Sequence, residues 1–224
     1  MDSFPIIRLT PQPSNEKQQQ KKSTYKLSVW IFITNFAEIK IQRMTFDKIT
    51  EDGSLFAVRY DEDSDNIMEI LFDQWSDVVW LRSFFINHFA DLKNYFAIED
   101  IHEAIQDTLD DNEILQRTIL MLNVDNLNQV FRPLDNMSTG LRILDKEKAR
   151  PKSSSRHVSW LRLYAIKLDD RKFLITGGAI KLTHKMEERE HTAVELQKLD
   201  KVRRFLMAES VYDAISFDDF IELG

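Results

Sequence analysis

The chain predicts an α+β fold, a small antiparallel sheet packed with amphipathic helices, and three observations carry that expectation. Two β-rich runs, Trp160–Leu168 and Lys172–Ile180, stand on either side of Asp169-Asp170 and form an antiparallel hairpin. Apolar residues recur at helical spacing through the middle of the chain and again after Met186. The 224 residues, 43% of them hydrophobic, are enough to bury one sizeable core.

Residues 11–26 (PQPSNEKQQQKKSTYK) are rich in Pro, Gln and Lys without apolar periodicity and predict a disordered tail. The run LSVWIFITNF, residues 27–36, is about half the roughly 20 residues a membrane span needs and contains Ser, Thr and Asn. We therefore expect no membrane span, no export signal and a cytoplasmic protein. Composition changes at Met44, so residues 1–43 are expected to be a flexible or non-native extension and 44–224 a single α+β domain.

Within that domain, Leu55–Tyr60 and Ile67–Phe72 read as short strands joined by the polar link DEDSDN. Trp75, Val78, Val79, Leu81, Phe85 and Phe89 fall on one helical face, with Asp73 or Ser76 as N-cap. Ile98, Ile101, Ile105 and Leu109 repeat the pattern, and Ile119 and Leu122 point inward from a following helix. Residues 73–135 thus form an acidic helical part, whose aromatics Trp75, Trp80, Phe84 and Phe85 belong to the core. Residues 141–185 form the sheet part, and 187–207 a C-terminal helix burying Leu196, Leu199, Val202, Phe205 and Leu206.

The net charge of −7 conceals a segregation. Residues 44–140 hold 6 Lys and Arg against 20 Asp and Glu, whereas 141–185 hold 12 against 4. A 45-residue stretch at +8 inside an acidic chain is a polyanion footprint or a surface that pairs with the chain's own carboxylates. It begins with the run Lys146 to His157, which Pro151 and three serines mark as a loop. Lys146, Lys148, Arg150, Lys152, Arg156 and His157 are its RNA-binding candidates. A two-residue hairpin turn places Tyr164 opposite Ile175 and Arg162 opposite Gly177, with Arg162 and Tyr164 on one face and Leu161, Leu163 and Ala165 on the other. Gly177-Gly178 marks either a bulge or open space over the backbone that a phosphate can use.

No cysteine is present, which excludes disulfides and thiol chemistry. The nucleotide, dinucleotide, serine-hydrolase and zincin motifs are absent. Glu188 and His191 make a single E-x-x-H, one short of the two a carboxylate-bridged metal pair requires. Neither metal nor cofactor is expected.

The order RLYAIKL, FLITGGAIKLTHKM and then the helix EEREHTAVELQKLDKVRRFL resembles the carboxy-terminal half of RelE/HigB-type toxins of bacterial toxin–antitoxin systems. In those proteins an arginine-bearing strand is followed by a second strand, a lysine-rich F-x-K-K-T-x-K-x-P exit and a charged helix. Here the exit reads Ala179-Ile180-Lys181-Leu182-Thr183-His184-Lys185-Met186, with Leu182 in place of one lysine and Met186 in place of the proline. The acidic helical part is longer than in that family, and so is an insertion relative to it.

The resemblance implies a metal-independent endoribonuclease that cuts mRNA, often on the ribosome, and is neutralised by a protein antitoxin, for example a helix-turn-helix protein encoded next to it. The RNA 2′-hydroxyl would attack the adjacent phosphate, which requires cations and proton handlers. Arg162, Lys181 and Lys185 are the phosphate-stabilising candidates, and Tyr164 and His184 the proton-handling or base-stacking ones. Two other expectations compete with it: a non-catalytic RNA- or protein-binding module on a RelE-like fold, and an interaction protein whose basic face is covered by its own acidic helices.

Overall fold

The computed structural model describes residues 44–60, 63–134, 144–151 and 156–223. The expected tail at 11–26, the apolar run 27–36 and the candidate Lys152 lie outside the described residues. Among the described residues, six strands form one mixed sheet: β1 (Met44–Lys48), β2 (Leu55–Tyr60), β3 (Phe131–Pro133), β4 (Asp145–Ala149), β5 (Leu161–Asp169) and β6 (Lys172–Ile180). Seven α-helices accompany them: α1 (Ile67–Ser76), α2 (Val78–Asn87), α3 (Phe89–Phe96), α4 (Ile101–Leu120), α5 (Leu127–Val130), α6 (Glu190–Ala208) and α7 (Ala214–Leu223). The fold is α+β.

The strand order is β1-β2-β6-β5-β4-β3, antiparallel throughout except that β2 runs parallel to β6. The β5–β6 hairpin forms as its composition predicts, closed by Asp170-Arg171 with Arg171 N–H donating to Asp169 Oδ1 at 2.7 Å. Its register differs from the simple count. Irregularities between Tyr164 and Ala165 and between Lys167 and Asp169 shift the pairing, so Arg162 faces Ala179 and Tyr164 faces Gly177.

Three other expectations are corrected. Ile67–Phe72 is the start of a helix: the Asn66 side chain accepts from the Met68 and Glu69 N–H groups while Glu69 reaches back to Asn66 N–H, a capping box that secures the first turn. The inward set Ile67, Met68, Leu71 and Trp75 has the helical period, and β2 pairs with β1 instead. The next helix begins after Asp77, whose carboxylate accepts from Val79 and Trp80 N–H; Leu81 and Phe85 are buried and Val78 and Val79 exposed. The basic run is likewise no loop from 146 to 149. It is β4, with Glu147 and Ala149 buried on one face and the lysines turned to the other.

Helices cover both faces of the sheet. On one, α1 packs on β2 and β6, and α4 on β5, where Trp160 Nε1 donates to Thr108 Oγ1 at 2.9 Å within the core. On the other, α6 lies over β5 and β6, and α7 closes an aromatic cluster of Phe46, Phe56 and Phe217. The glycine pair permits both approaches. A Cβ on Gly177 would land on Glu195 Oε2 of α6, and one on Gly178 would sit 2.7 Å from Arg162 O and 2.8 Å from Leu71 of α1. The open space expected over these glycines is therefore filled. Leu199, Val202 and Leu206 of α6 are buried as the helical period requires.

A basic cleft as candidate functional site

Register decides which side chains share a face. Tyr164 pairs with Gly177 and Arg162 with Ala179, so both project to the α6 side, away from α1 and the acidic helices. In β4, Lys148 pairs with Tyr164 and Lys146 with Ile166, and in β3 Arg132 pairs with Lys148. The residues after β6 return along the same side. Together they border a cleft of about 1330 Å³.

Among the described residues, eight Lys and Arg side chains line this cleft: Arg132, Lys146, Lys148, Arg150, Arg162, Lys181, Lys185 and Arg203. Two carboxylates, Asp145 and Glu187, accompany them. All five catalytic candidates, Arg162, Tyr164, Lys181, His184 and Lys185, are brought together here, as are Lys146, Lys148 and Arg150. Arg156 and His157 are not part of it. His157 Nε2 lies 2.9 Å from Asp107 Oδ2, and its ring stacks on Trp160 with centroids 4.2 Å apart, so it pins the 156–160 segment to α4.

At the floor, Arg162 Nη1 donates to Ser159 O at 2.6 Å and Leu161 O at 2.7 Å. Burial and the neighbouring Arg150 charge pull its pKa down to about 10, which leaves it cationic at neutral pH. Lys181 is lowered by burial and by Arg162 and Lys148, and its Nζ donates to His184 O. Tyr164 is 1% exposed, and its hydroxyl has no hydrogen-bond partner among the described residues. Burial raises its pKa, so it is a neutral phenol with a proton to donate. His184 is exposed at the rim, edge-on to Tyr95 at 5.0 Å.

Of the thirteen Lys and Arg side chains described outside the cleft, seven are ion-paired. Among them Arg59 pairs with Asp47, Lys93 with Glu99, Lys172 with Asp218, Arg189 with Asp91 and Lys198 with Glu195. In the cleft, Lys146 pairs with Asp200 at 2.6 Å, and Lys148 Nζ donates to Leu134 O at 3.0 Å. Arg132, Arg150, Arg162, Lys181 and Lys185 have no ion-pair partner among the described residues. An excess of like charges held this close, eight against two lining carboxylates, raises the potential of a low-dielectric floor and attracts an external anion.

Sequence reasoning missed Arg132 and Arg203, which reach the cleft from a three-residue edge strand and from α6. The period-two spacing of Lys146, Lys148 and Arg150 was the available signal for β4. Among the described residues no group of three or more His, Asp or Glu side chains gathers as a metal-ligand set, and no helix is long and apolar enough to cross a membrane. No family model, curated protein or solved structure matches the chain.

Proposed function

We propose that the protein binds RNA, with the phosphate backbone of a single strand running through the basic cleft. The observation that carries this reading is the convergence of eight Lys and Arg side chains on one cleft lined by only two carboxylates, five of those cations having no ion-pair partner among the described residues. Each phosphate neutralised by Lys or Arg releases counterions, and that release supplies sequence-independent affinity. The same observation weighs against a basic face covered by the chain's own acidic helices, since α1 and α4 pack on the opposite side of the sheet. RNA is chosen over DNA because the carboxy-terminal half resembles RNA-cutting proteins.

A second reading, a RelE/HigB-like ribonuclease toxin acting in the cytoplasm and held by an antitoxin, is favoured by the convergence of Arg162, Tyr164, Lys181, His184 and Lys185 on one cleft. In it, Arg162 and Lys181 stabilise the phosphorane charge, Tyr164 protonates the leaving oxygen, and His184 takes the 2′-hydroxyl proton. The acidic helical layer would then be an insertion on the far side of a RelE-like sheet.

The test uses the full chain and a folded Arg150→Ala, Lys181→Ala, Lys185→Ala variant. Fluorescence anisotropy with a labelled single-stranded RNA is expected to show at least tenfold weaker binding by the variant, and equal affinity would overturn the binding reading. Induction in cells, followed by transcript-end mapping, separates the two readings. Growth arrest with new transcript ends, lost in the variant, supports the toxin; RNA binding without new ends leaves the binding module.

A further inference from the structure

We infer that the floor of the cleft is a subsite for a phosphomonoester, so that the preferred ligand is a strand whose terminal phosphate sits on the floor while its backbone runs along the rest of the cleft. The inference rests on the RNA reading and specifies which part of the RNA is gripped.

The first ground is Tyr164. A hydroxyl on a residue only 1% exposed ordinarily finds a partner, because leaving it unmade forfeits its hydration without return. This one lines the cleft and has no partner among the described residues. Its donor is therefore held ready for an oxygen that enters from the cleft. The second ground is Arg162, which pairs across from Ala179 on the same face two residues before Tyr164. Its Nη1 is committed to two backbone carbonyls, which fixes the guanidinium plane, and no carboxylate pairs with it among the described residues. The nearest carboxylate influence on Tyr164 comes from Glu195, which is already engaged by Gly178 N–H at 3.0 Å and by Lys198 Nζ at 2.7 Å.

Charge and shape then select the ligand. Besides burial, Arg150 lowers the Arg162 pKa, and Arg162 and Lys148 lower that of Lys181, so like charges converge on this floor. A phosphomonoester brings close to two negative charges and three free oxygens to such a floor, whereas a diester brings one charge and two. A diester also carries chain on two sides, and a floor built around a side chain only 1% exposed favours a group with chain on one side.

The experiment measures affinity of the full chain, wild type and Tyr164→Phe, for one RNA dodecamer with a 5′-phosphate, a 3′-phosphate or hydroxyls at both ends. Thermal shifts with inorganic phosphate run alongside. In the wild type, one phosphorylated form is expected to bind about tenfold more tightly than the hydroxyl form, and to identify which end enters. Tyr164→Phe should erase that preference. Without ligand it should melt no lower than wild type, because it removes a buried hydroxyl that lacks a partner. If the three RNAs bind the wild type alike, or if Tyr164→Phe keeps the preference, the subsite is refuted while RNA binding stands. If no RNA binds but inorganic phosphate raises the melting temperature of the wild type and not of Tyr164→Phe, the RNA reading fails and the subsite stands.

Discussion

Gly178→Ala tests the packing that places the cleft. Gly178 sits on β6 where α1 presses on the sheet, and an added Cβ would lie 2.7 Å from Arg162 O, 2.8 Å from Leu71 Cδ1 and 3.0 Å from Trp75 Cη2. Ordinary contact needs 3.4 Å or more. One neighbour is backbone in the sheet and another is a tryptophan only 1% exposed, so neither gives way without moving α1. Overpacking of this kind costs roughly 1–3 kcal/mol, and two immobile neighbours place the cost near about 3 kcal/mol. Gly178 has no left-handed backbone conformation, so alanine regains about 0.4–1 kcal/mol from the unfolded chain and the net is about 2 kcal/mol. For a chain of this size that lowers Tm by about 4–8 °C. Urea unfolding followed by tryptophan fluorescence measures it directly. A loss below about 0.5 kcal/mol would refute the argument, because α1 would then not be seated as closely on β6 as the structure shows.

Two further outcomes follow from buried charge. Glu147 is 5% exposed, and burial pushes its pKa up to about 7, so wild-type stability falls as pH rises from about 4.5 through 7; Glu147→Gln should be more stable at pH 8 by up to about 3 kcal/mol and equal to wild type near pH 4. Parallel stability curves from pH 4 to 8 would contradict it. Arg189 donates Nε to Asp91 Oδ2 at 2.6 Å and Nη2 to Oδ1, which holds the buried Asp91 carboxyl below its usual range. Because a lowered carboxyl stabilises above its unfolded pKa and loses that contribution as pH falls, Arg189→Ala should lower Tm at pH 7 and lose less of it below about pH 4, as thermal melts across that range will show.

What could be read from the sequence was local. The hairpin at 160–180 and the helix after Met186 announce themselves through β-branched runs and helical spacing, and both form. Ile67–Phe72 misled because a short apolar run suits a strand or a buried helix turn equally, and Asn66 with Glu69 decides between them. Lys146 to Ala149 misled because its charges mask a period-two pattern that only Glu147 and Ala149 bury. The pairing of β2 with β6, across more than a hundred residues, has no local signature at all. The site followed the same rule. Arg162, Tyr164, Lys181 and Lys185 were legible because strand period and the exit from β6 place them together, whereas Arg132 and Arg203 arrive by tertiary packing.

The central claim is that the cleft's cations meet an RNA backbone, and the salt dependence of binding tests it most directly. If the five cations without ion-pair partners, Arg132, Arg150, Arg162, Lys181 and Lys185, each neutralise one phosphate, log affinity should fall against log salt with a slope of about −3.5 for a single strand. Between 50 and 200 mM salt that is a loss of about 100-fold. In the Arg150, Lys181, Lys185 triple variant the slope should flatten to about −1.4. A wild-type slope near zero, or a triple variant whose slope matches the wild type, would contradict the account.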